Sequence, residues 1–245
     1  MVKYLNRFGF IYYKTLYHAA HPSFKAGLFS SFKSVSCTKR YWGFHKEEMN
    51  TLINSLVLEE EELFSLFSKN TSYEIRRSIK DSVVDINTSG SLDDFITLYN
   101  QFASSRGWNP YRKNNELSNF FQVTTCSYKS EIIIAHLYIK DSYSQRVSLK
   151  SSVSVIDEIS DKSIRAIIGR ANRHLHFMDM LYFKKCDYKE YDFGGYDTNN
   201  KFDPKKKGIN KFKDGFGGKL VYESNYTSYP LYWLFKLKKK IFNKK

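Results

Sequence analysis

The sequence predicts an α+β protein centred on a mixed β-sheet, and three observations indicate this. Residues 120–126, 131–140 and 145–156 are rich in β-branched and aromatic side chains and are joined by short polar links, which is typical of an antiparallel meander. A long amphipathic helix comes next, and a short strand at 189–193 follows the helix. Because such a helix can return the chain to a parallel strand, we expect the sheet to splay where the pairing changes direction, which is a natural place for a ligand crevice.

The middle strand of the meander, Glu131–Lys140, is apolar on both faces, so it should lie centrally and be covered on both sides. In the third strand, aliphatic residues alternate with Ser and Lys, which predicts one drier and one wetter face. The long helix begins near Asp161 or only after Gly169, and it runs to about Cys186.

The first third of the chain is less regular. Apolar residues at helical spacing predict helices over 47–68, 72–82 and 91–105, and a strand is expected over 34–45.

Three parts follow from this pass along the chain. We expect a reduced N-terminal part packed on the same core, then the main domain, then a basic and aromatic tail, with boundaries at 1–110, 111–230 and 231–245.

Composition limits the function classes. The 245 residues carry a formal net charge of +14, a positive field that attracts phosphates, nucleic acid or anionic lipid headgroups. Three distant cysteines give neither a zinc-knuckle spacing nor a disulfide framework, which favours a reducing compartment. Because no apolar run approaches the ~18 residues of a membrane span, we expect a cytoplasmic protein, with a peripheral position at the inner face of the membrane left open.

Two segments carry a resemblance to a known family. The first segment is Ile168-Gly-Arg-Ala-Asn-Arg-His-Leu-His-Phe177, continued through its helix to Tyr191-Asp-Phe-Gly-Gly195. The second is Gly208-Ile-Asn-Lys-Phe-Lys-Asp-Gly-Phe-Gly-Gly218. Both resemble the C-terminal part of Fem-type (FemAB-like) peptidyl transferases and related GNAT acyltransferases. The likeness extends over roughly 120–221. In that family two such domains are often fused, whereas here the N-terminal one is reduced.

The resemblance implies a GNAT-like fold and an N-acyltransferase. The acyl group would pass from an activated donor, acyl-CoA in the first place, to an amine of an amino sugar or cell-envelope precursor. An aminoacyl-tRNA donor is the alternative that the family offers, and the charge of +14 suits tRNA. A non-catalytic GNAT-shaped module that binds RNA or an anionic surface is the alternative outside enzymology.

For the co-substrate, the segment Gly169, Arg170, Ala171 and Asn172 resembles a shortened loop for the acyl-CoA pyrophosphate. Small residues at a helix start let backbone N–H groups face a phosphate. The other interpretation is an ordinary helix turn, and a helix continuous from Asp161 would already use those N–H groups.

For catalysis, Asp192 stands near the end of a strand beside the expected crevice, where a carboxylate can accept the amine proton. A structural acid paired with a neighbouring cation is the alternative. On the opposite wall of the same cleft we place Lys213, which would hold an anionic group of donor or acceptor.

The remaining substrate-binding candidates are His176, Lys211 and Phe216, with a solvated basic face as the alternative for the lysine. His174 and His176 point to nearly opposite sides of a helix, so they cannot share one ion. With His136 expected as a satisfied core histidine, no metal is predicted. The tail at 231–245 mixes aromatic and aliphatic residues with lysines, which suggests contact with an anionic membrane surface.

Overall fold

The structure is a computed structural model that describes residues 1–8, 10–111, 119–198 and 204–242. The α+β class and the mixed sheet are confirmed. Ten strands form one sheet in the order β1-β2-β3-β10-β4-β9-β8-β7-β6-β5. The strands are β1 (Lys3–Phe8), β2 (Ile11–Tyr17), β3 (Ser30–Val35), β4 (Phe44–Ser55), β5 (Val84–Gly90), β6 (Phe121–Tyr128), β7 (Glu131–Asp141), β8 (Arg146–Ser154), β9 (Glu190–Tyr196) and β10 (Lys219–Ser228). The α-helices are α1 (Glu60–Ser65), α2 (Lys69–Asp81), α3 (Leu92–Ser105), α4 (Lys162–Lys185), α5 (Pro204–Asp214) and α6 (Tyr229–Phe242).

One half of the sheet contains β5 to β9. Strands β6, β7 and β8 pair antiparallel in chain order, and β9 returns parallel to β8 after α4. β7 is almost wholly buried because α4 covers one face and α3 the other. β9 does not stop at its two glycines but continues to Tyr196.

The other half contains β1 to β4 and β10, so the N-terminal part of the chain enters the same sheet. β4 lies between β9 and β10 and joins the halves. The helix expected over 47–68 is therefore wrong over its first part. The run Asn50–Leu52 is buried throughout because β4 is covered on both faces, and such a run carries no two-residue alternation.

The four consecutive glutamates start a helix. Glu59 caps α1, and the Glu62 side chain accepts the backbone N–H of Glu59, which completes a capping box. The strand expected over 34–45 is also misplaced, since β3 ends at Val35 and β4 begins at Phe44.

The C-terminal tail, as far as residue 242, belongs to the helix α6, which packs on the hairpin of β1 and β2, and residues 243–245 lie outside the described residues. The ring of Phe235 lies 5.6 Å from that of Phe8 and 5.5 Å from that of Tyr13. Among the described residues, no helix has the length and apolar character that a membrane span requires.

Candidate functional site

A cavity opens where the pairing of β8 and β9 ends. The two strands pair from Arg146–Glu190 to Ser148–Asp192 and then separate. Gly194 has a φ of +69°, and a Cβ there would lie 2.6 Å from the carbonyl oxygen of Leu149, so glycine is required.

This cavity has a volume of about 170 Å³, and we call it the central cavity. Six strands besides β9 contribute to its lining, and they come from both halves of the sheet. Its polar lining includes Tyr17, Lys33, Ser148, Lys150, Asp192 and Asn225.

Asp192 is the centre of a buried ion-pair network beneath the cavity. Arg146 donates from Nε and Nη2 to Asp192 Oδ2 at 3.1 and 2.6 Å, and from Nη1 to Glu223 Oε1 at 2.6 Å. Thr51 and the backbone N–H of Gly194 donate to Asp192 Oδ1. Burial alone would raise the pKa of Asp192, but the charge of Arg146 and these hydrogen bonds lower it.

The general-base role expected of Asp192 is therefore wrong. Its side chain is 2% exposed and carries a bidentate guanidinium, so it is a poor proton acceptor. Of the alternatives that the sequence left open, the structural acid is the one observed.

Ser148 connects this network to a second one. Its Oγ lies 2.7 Å from Asp192 Oδ2 and 3.2 Å from Nε2 of His18. Nδ1 of His18 lies 3.0 Å from Asp141 Oδ2. The sequence analysis missed His18 and Asp141 because they are 123 residues apart and no local pattern marks either of them.

Two lysines that border the cavity have lowered pKa values. Burial lowers the pKa of Lys33, partly offset by the charge of Glu47, and desolvation lowers the pKa of Lys150 to about 8. The Lys150 ammonium lies 4.7 Å from the ring centroid of Phe121. Lys33 is half-buried and Lys150 is exposed, and a cation beside a cavity attracts an anionic partner, so these lysines suit a phosphate or carboxylate.

The loop expected at Gly169, Arg170, Ala171 and Asn172 is wrong, because these residues lie inside α4. The helix begins at Lys162, and Asp161 caps it by accepting from the N–H groups of Ser163 and Ile164. The backbone N–H groups of the segment therefore belong to the interior of a helix.

The side chains of this segment have structural partners. Arg170 Nη2 lies 3.4 Å from Asp81 Oδ2, and Asn172 Oδ1 lies 3.0 Å from Nε2 of His136. Ala171 is fully buried.

The other predicted substrate residues lie away from the cavity. His176 and Phe216 belong to the core between α4, α5 and the sheet, with their rings 5.5 Å apart. Lys211 is exposed. Lys213 is buried, and its ammonium donates to the carbonyls of Gly194 and Gly195 at 3.2 and 2.6 Å.

The cleft expected between Asp192 and Lys213 is therefore wrong. Asp192 lies under the central cavity, whereas Lys213 reaches the end of β9 from α5 and is outside the cavity lining. Two of the three N–H donors of the Lys213 ammonium are used by backbone carbonyls, and its contact with a ligand stays a prediction.

A second cluster of titratable groups lies on the α4 side of the sheet. His136, His176 and Asp179 offer ligand atoms within 4.8 Å of one another. The rejection of a metal cluster from spacing along the chain overlooked this set, which forms across β7 and α4. Tyr138 and Tyr191 hydrogen-bond to these residues and enclose them, so we assign the set to the core.

Comparisons with known proteins bear on the fold. No family model matches the chain, and no curated protein matches its sequence. The structure does resemble solved structures. A structure of FemX matches with a TM-score of 0.65 at 11% identity, over 95% of this chain and 85% of that one.

Two further structures share the fold. The C-terminal domain of an Agrobacterium fabrum protein, assigned as a lysylphosphatidylglycerol synthetase, has a TM-score of 0.58 at 8% identity, with 96% of this chain and 82% of that one covered. L-PGS from Bacillus licheniformis has a TM-score of 0.54 at 9% identity, with 81% and 67% covered. The chain therefore has a Fem-like fold.

Proposed function

We propose that the chain is a transferase that moves an acyl or aminoacyl group from an activated donor to an amine, and that the central cavity is its active site. The supporting observation is the cavity itself, which lies between the sheet halves of a Fem-like fold and is bordered by Lys33 and Lys150. Cations of lowered pKa beside a buried ionic network are typical of functional sites. They would bind an anionic group of donor or acceptor.

The donor that fits these residues is an aminoacyl-tRNA rather than acyl-CoA. The first turn of α4 is where a pyrophosphate would bind, but the carboxylate of Asp161 already accepts two of its N–H groups, those of Ser163 and Ile164. A net charge of +14 supports the polyanionic donor. The acceptor remains the amine of an amino sugar or cell-envelope precursor.

The test is transfer of label. The purified chain is incubated with total tRNA charged with radioactive amino acids, or with labelled acetyl-CoA, and with amino sugars and an envelope-precursor extract. We expect labelled amide from the tRNA donor, and a loss of at least about tenfold in Lys33→Met and Lys150→Met, because each removes a cation from the cavity. Lys39→Met, which changes an exposed lysine, is the matched control. Transfer from acetyl-CoA alone would reverse the donor assignment, and no amide from either donor would refute the transferase.

A second candidate function, attachment to an anionic membrane, is supported by one end of the molecule. Large apolar side chains there are strongly exposed, at 95% for Phe10, 91% for Trp42 and 60% for Trp233. We group them as one surface because α6 begins beside Trp42, where the N–H of Tyr229 donates to the carbonyl of Gly43, and packs through Phe235 on the β1–β2 hairpin. We call this surface the aromatic end.

The chemistry of the aromatic end fits a bilayer interface. Lys236 and Lys240 are exposed on the same helix as Trp233, and Leu237 is 56% exposed. Aromatic and aliphatic side chains would enter the headgroup region, and each lysine near anionic lipid adds up to about 1 kcal/mol.

Vesicle sedimentation tests this attachment. Trp42→Ser and Trp233→Ser should reduce binding to vesicles that contain phosphatidylglycerol, whereas Trp108→Ser, which changes a tryptophan exposed to 56% outside the aromatic end, should not. Equal binding by all three variants would refute the membrane surface. Competition by tRNA that depends on the same tryptophans would assign the surface to RNA instead.

A further inference from the structure

A hydroxyl, an imidazole and a carboxylate lie in line beside the central cavity. Ser148 Oγ on β8 is 3.2 Å from His18 Nε2, and His18 Nδ1 is 3.0 Å from Asp141 Oδ2. His18 follows β2 and Asp141 ends β7, so the three meet only through the fold. We propose that Ser148 is a nucleophile activated by His18 and Asp141, and that activated esters acylate its Oγ.

The hydrogen bonds define the tautomer of His18. Burial alone would raise the pKa of Asp141, but the hydrogen bonds from His18, the amino group of Met1 and Ser144 lower it, so the carboxylate is ionised and accepts. Nδ1 of His18 must therefore carry the hydrogen in that contact. In the neutral ring, Nε2 then presents its lone pair to Ser148, which is the tautomer of a general base.

In the resting arrangement the Ser148 hydroxyl donates to Asp192 Oδ2 at 2.7 Å, so it must turn toward His18 Nε2 before attack. That carboxylate already accepts from Nε and Nη2 of Arg146, from Thr51 and from the N–H of Gly194. Although burial alone would raise the pKa of Asp192, the charge of Arg146 and the hydrogen bonds lower it overall, so this carboxylate is a weak acceptor for a transferred proton. Nε2 of His18 is the acceptor that remains for the proton when Ser148 attacks.

Access and backbone conformation support the assignment. Ser148 is among the residues that line the central cavity, so an acyl group that enters this space comes close to it. His18 has a φ of +53°, which is uncommon outside glycine. Strained residues that the surrounding structure holds in place cluster at active sites. Lys33 and Lys150 line the same cavity and supply cations near a developing oxyanion.

The chemical step is balanced by these groups. Ser148 Oγ bonds to the carbonyl carbon of the ester, and its proton moves to His18 Nε2. The tetrahedral intermediate then breaks the bond to the leaving alcohol, whose oxygen takes that proton. An amine attacks the Ser148 ester and gives a proton to His18 Nε2, and Ser148 Oγ recovers this proton as the amide leaves.

This inference rests on the proposed function for the identity of the final amine, but acylation is testable without it. The purified chain is mixed with p-nitrophenyl acetate, release of p-nitrophenol is followed, and the modified peptide is located by mass spectrometry. We expect an acetyl group on Ser148. His18→Gln should slow the release of p-nitrophenol by on the order of 10²-fold or more, because it removes the base. Asp141→Asn should also slow this release, because it misorients the base. Ser152→Ala, which removes an exposed hydroxyl of the same strand, should react normally.

A second measurement covers the case in which Ser148→Ala fails to fold. Ser148→Cys retains a nucleophile, and its alkylation by iodoacetamide at neutral pH should be slower when His18→Gln is added. Equal alkylation rates, or acetylation at another residue, would overturn the proposal. Acetylated Ser148 without transfer to any amine would refute the transferase and keep the nucleophile. Amide formation at the normal rate by Ser148→Ala would refute the nucleophile and keep the transferase.

Discussion

Tyr191 and Asp192 are neighbours on β9, and each holds a buried polar network on its own face of the sheet. On the α4 face, the hydroxyl of Tyr191 lies 2.6 Å from that of Tyr138 and 2.6 Å from Nδ1 of His176. On the other face, Asp192 binds Arg146 and Ser148 beneath the central cavity. Both networks contain carboxylates, and both adjoin a histidine.

The difference between them is access. The α4-side network is enclosed by aromatic rings, and burial raises the pKa of Tyr191 and lowers that of His176, which keeps both neutral. The Asp192 network consists of charges and adjoins a space bordered by lysines. Perturbed pKa values occur in structural and in functional networks alike, so the open space distinguishes the candidate site.

Arg146→Met should have the largest effect on stability. It leaves the carboxylates of Asp192 and Glu223 buried without their shared cation, which should cost about 3–5 kcal/mol in the free energy of unfolding. Urea denaturation measures the loss. Arg173→Met, which removes a half-buried arginine on the α4 side, is the control and should cost clearly less. Equal losses would mean that the ion-pair network does not anchor the cavity.

Tyr191→Phe should destabilise the chain by ~1–3 kcal/mol, because it leaves Nδ1 of His176 and the hydroxyl of Tyr138 each without one partner. Acetylation of Ser148 by p-nitrophenyl acetate should be unchanged in the folded variant. Tyr143→Phe, at a tyrosine exposed to 87%, should leave stability unchanged. A slower acetylation in Tyr191→Phe would show that the two faces are coupled and would break the comparison.

Sequence patterns were sufficient for the elements with strong local periodicity. The stripe of α3 and the apolar run of β7 depend on neighbouring residues, so the sequence predicted both within a few positions. β4 was misassigned because a strand covered on both faces has no alternation. β10, over 219–228, had no prediction although it lies in the middle of the sheet.

The site was less predictable than the fold. Asp192 was chosen for its position near the end of a strand, and it does line the cavity. Its partner Arg146, which also binds Glu223, is 46 residues away along the chain, and no spacing rule connects them. The phosphate loop predicted at Gly169 was wrong because α4 begins earlier, at Lys162, where the Asp161 carboxylate caps the helix. Local sequence patterns therefore predicted one residue beside the cavity, whereas the roles of the side chains depend on contacts between residues far apart in the sequence.

The pH dependence of anion binding tests the role of Lys150 at the central cavity. Its pKa of about 8 means that the ammonium loses its proton as the pH rises from about 7 to about 9. If the cavity binds anions through this charge, the affinity for inorganic pyrophosphate should fall by about tenfold over that interval, equal to ~1.4 kcal/mol. Lys150→Met should bind weakly and with little pH dependence. A wild-type affinity independent of pH would remove Lys150 from the binding site.

Lys213 lies at the end of β9, where the two faces meet, and gives the smallest expected effect. Burial lowers its pKa from the ordinary 10.5 to about 8, although the charge of Asp192 opposes this shift. Because the folded pKa lies below the unfolded one, the unfolded chain binds more protons between these two values, and stability therefore rises with pH across that window.

From about pH 7.5 to about pH 9, Lys213 should add ~1 kcal/mol to the free energy of unfolding. Lys213→Met should lack this rise. Lys211→Met, which changes an exposed lysine of the same helix, should keep it. Urea titrations at the two pH values measure all three proteins. A rise that persists in Lys213→Met would mean that another group titrates there, and Lys213 would then not be the buried cation that connects the two faces of the sheet.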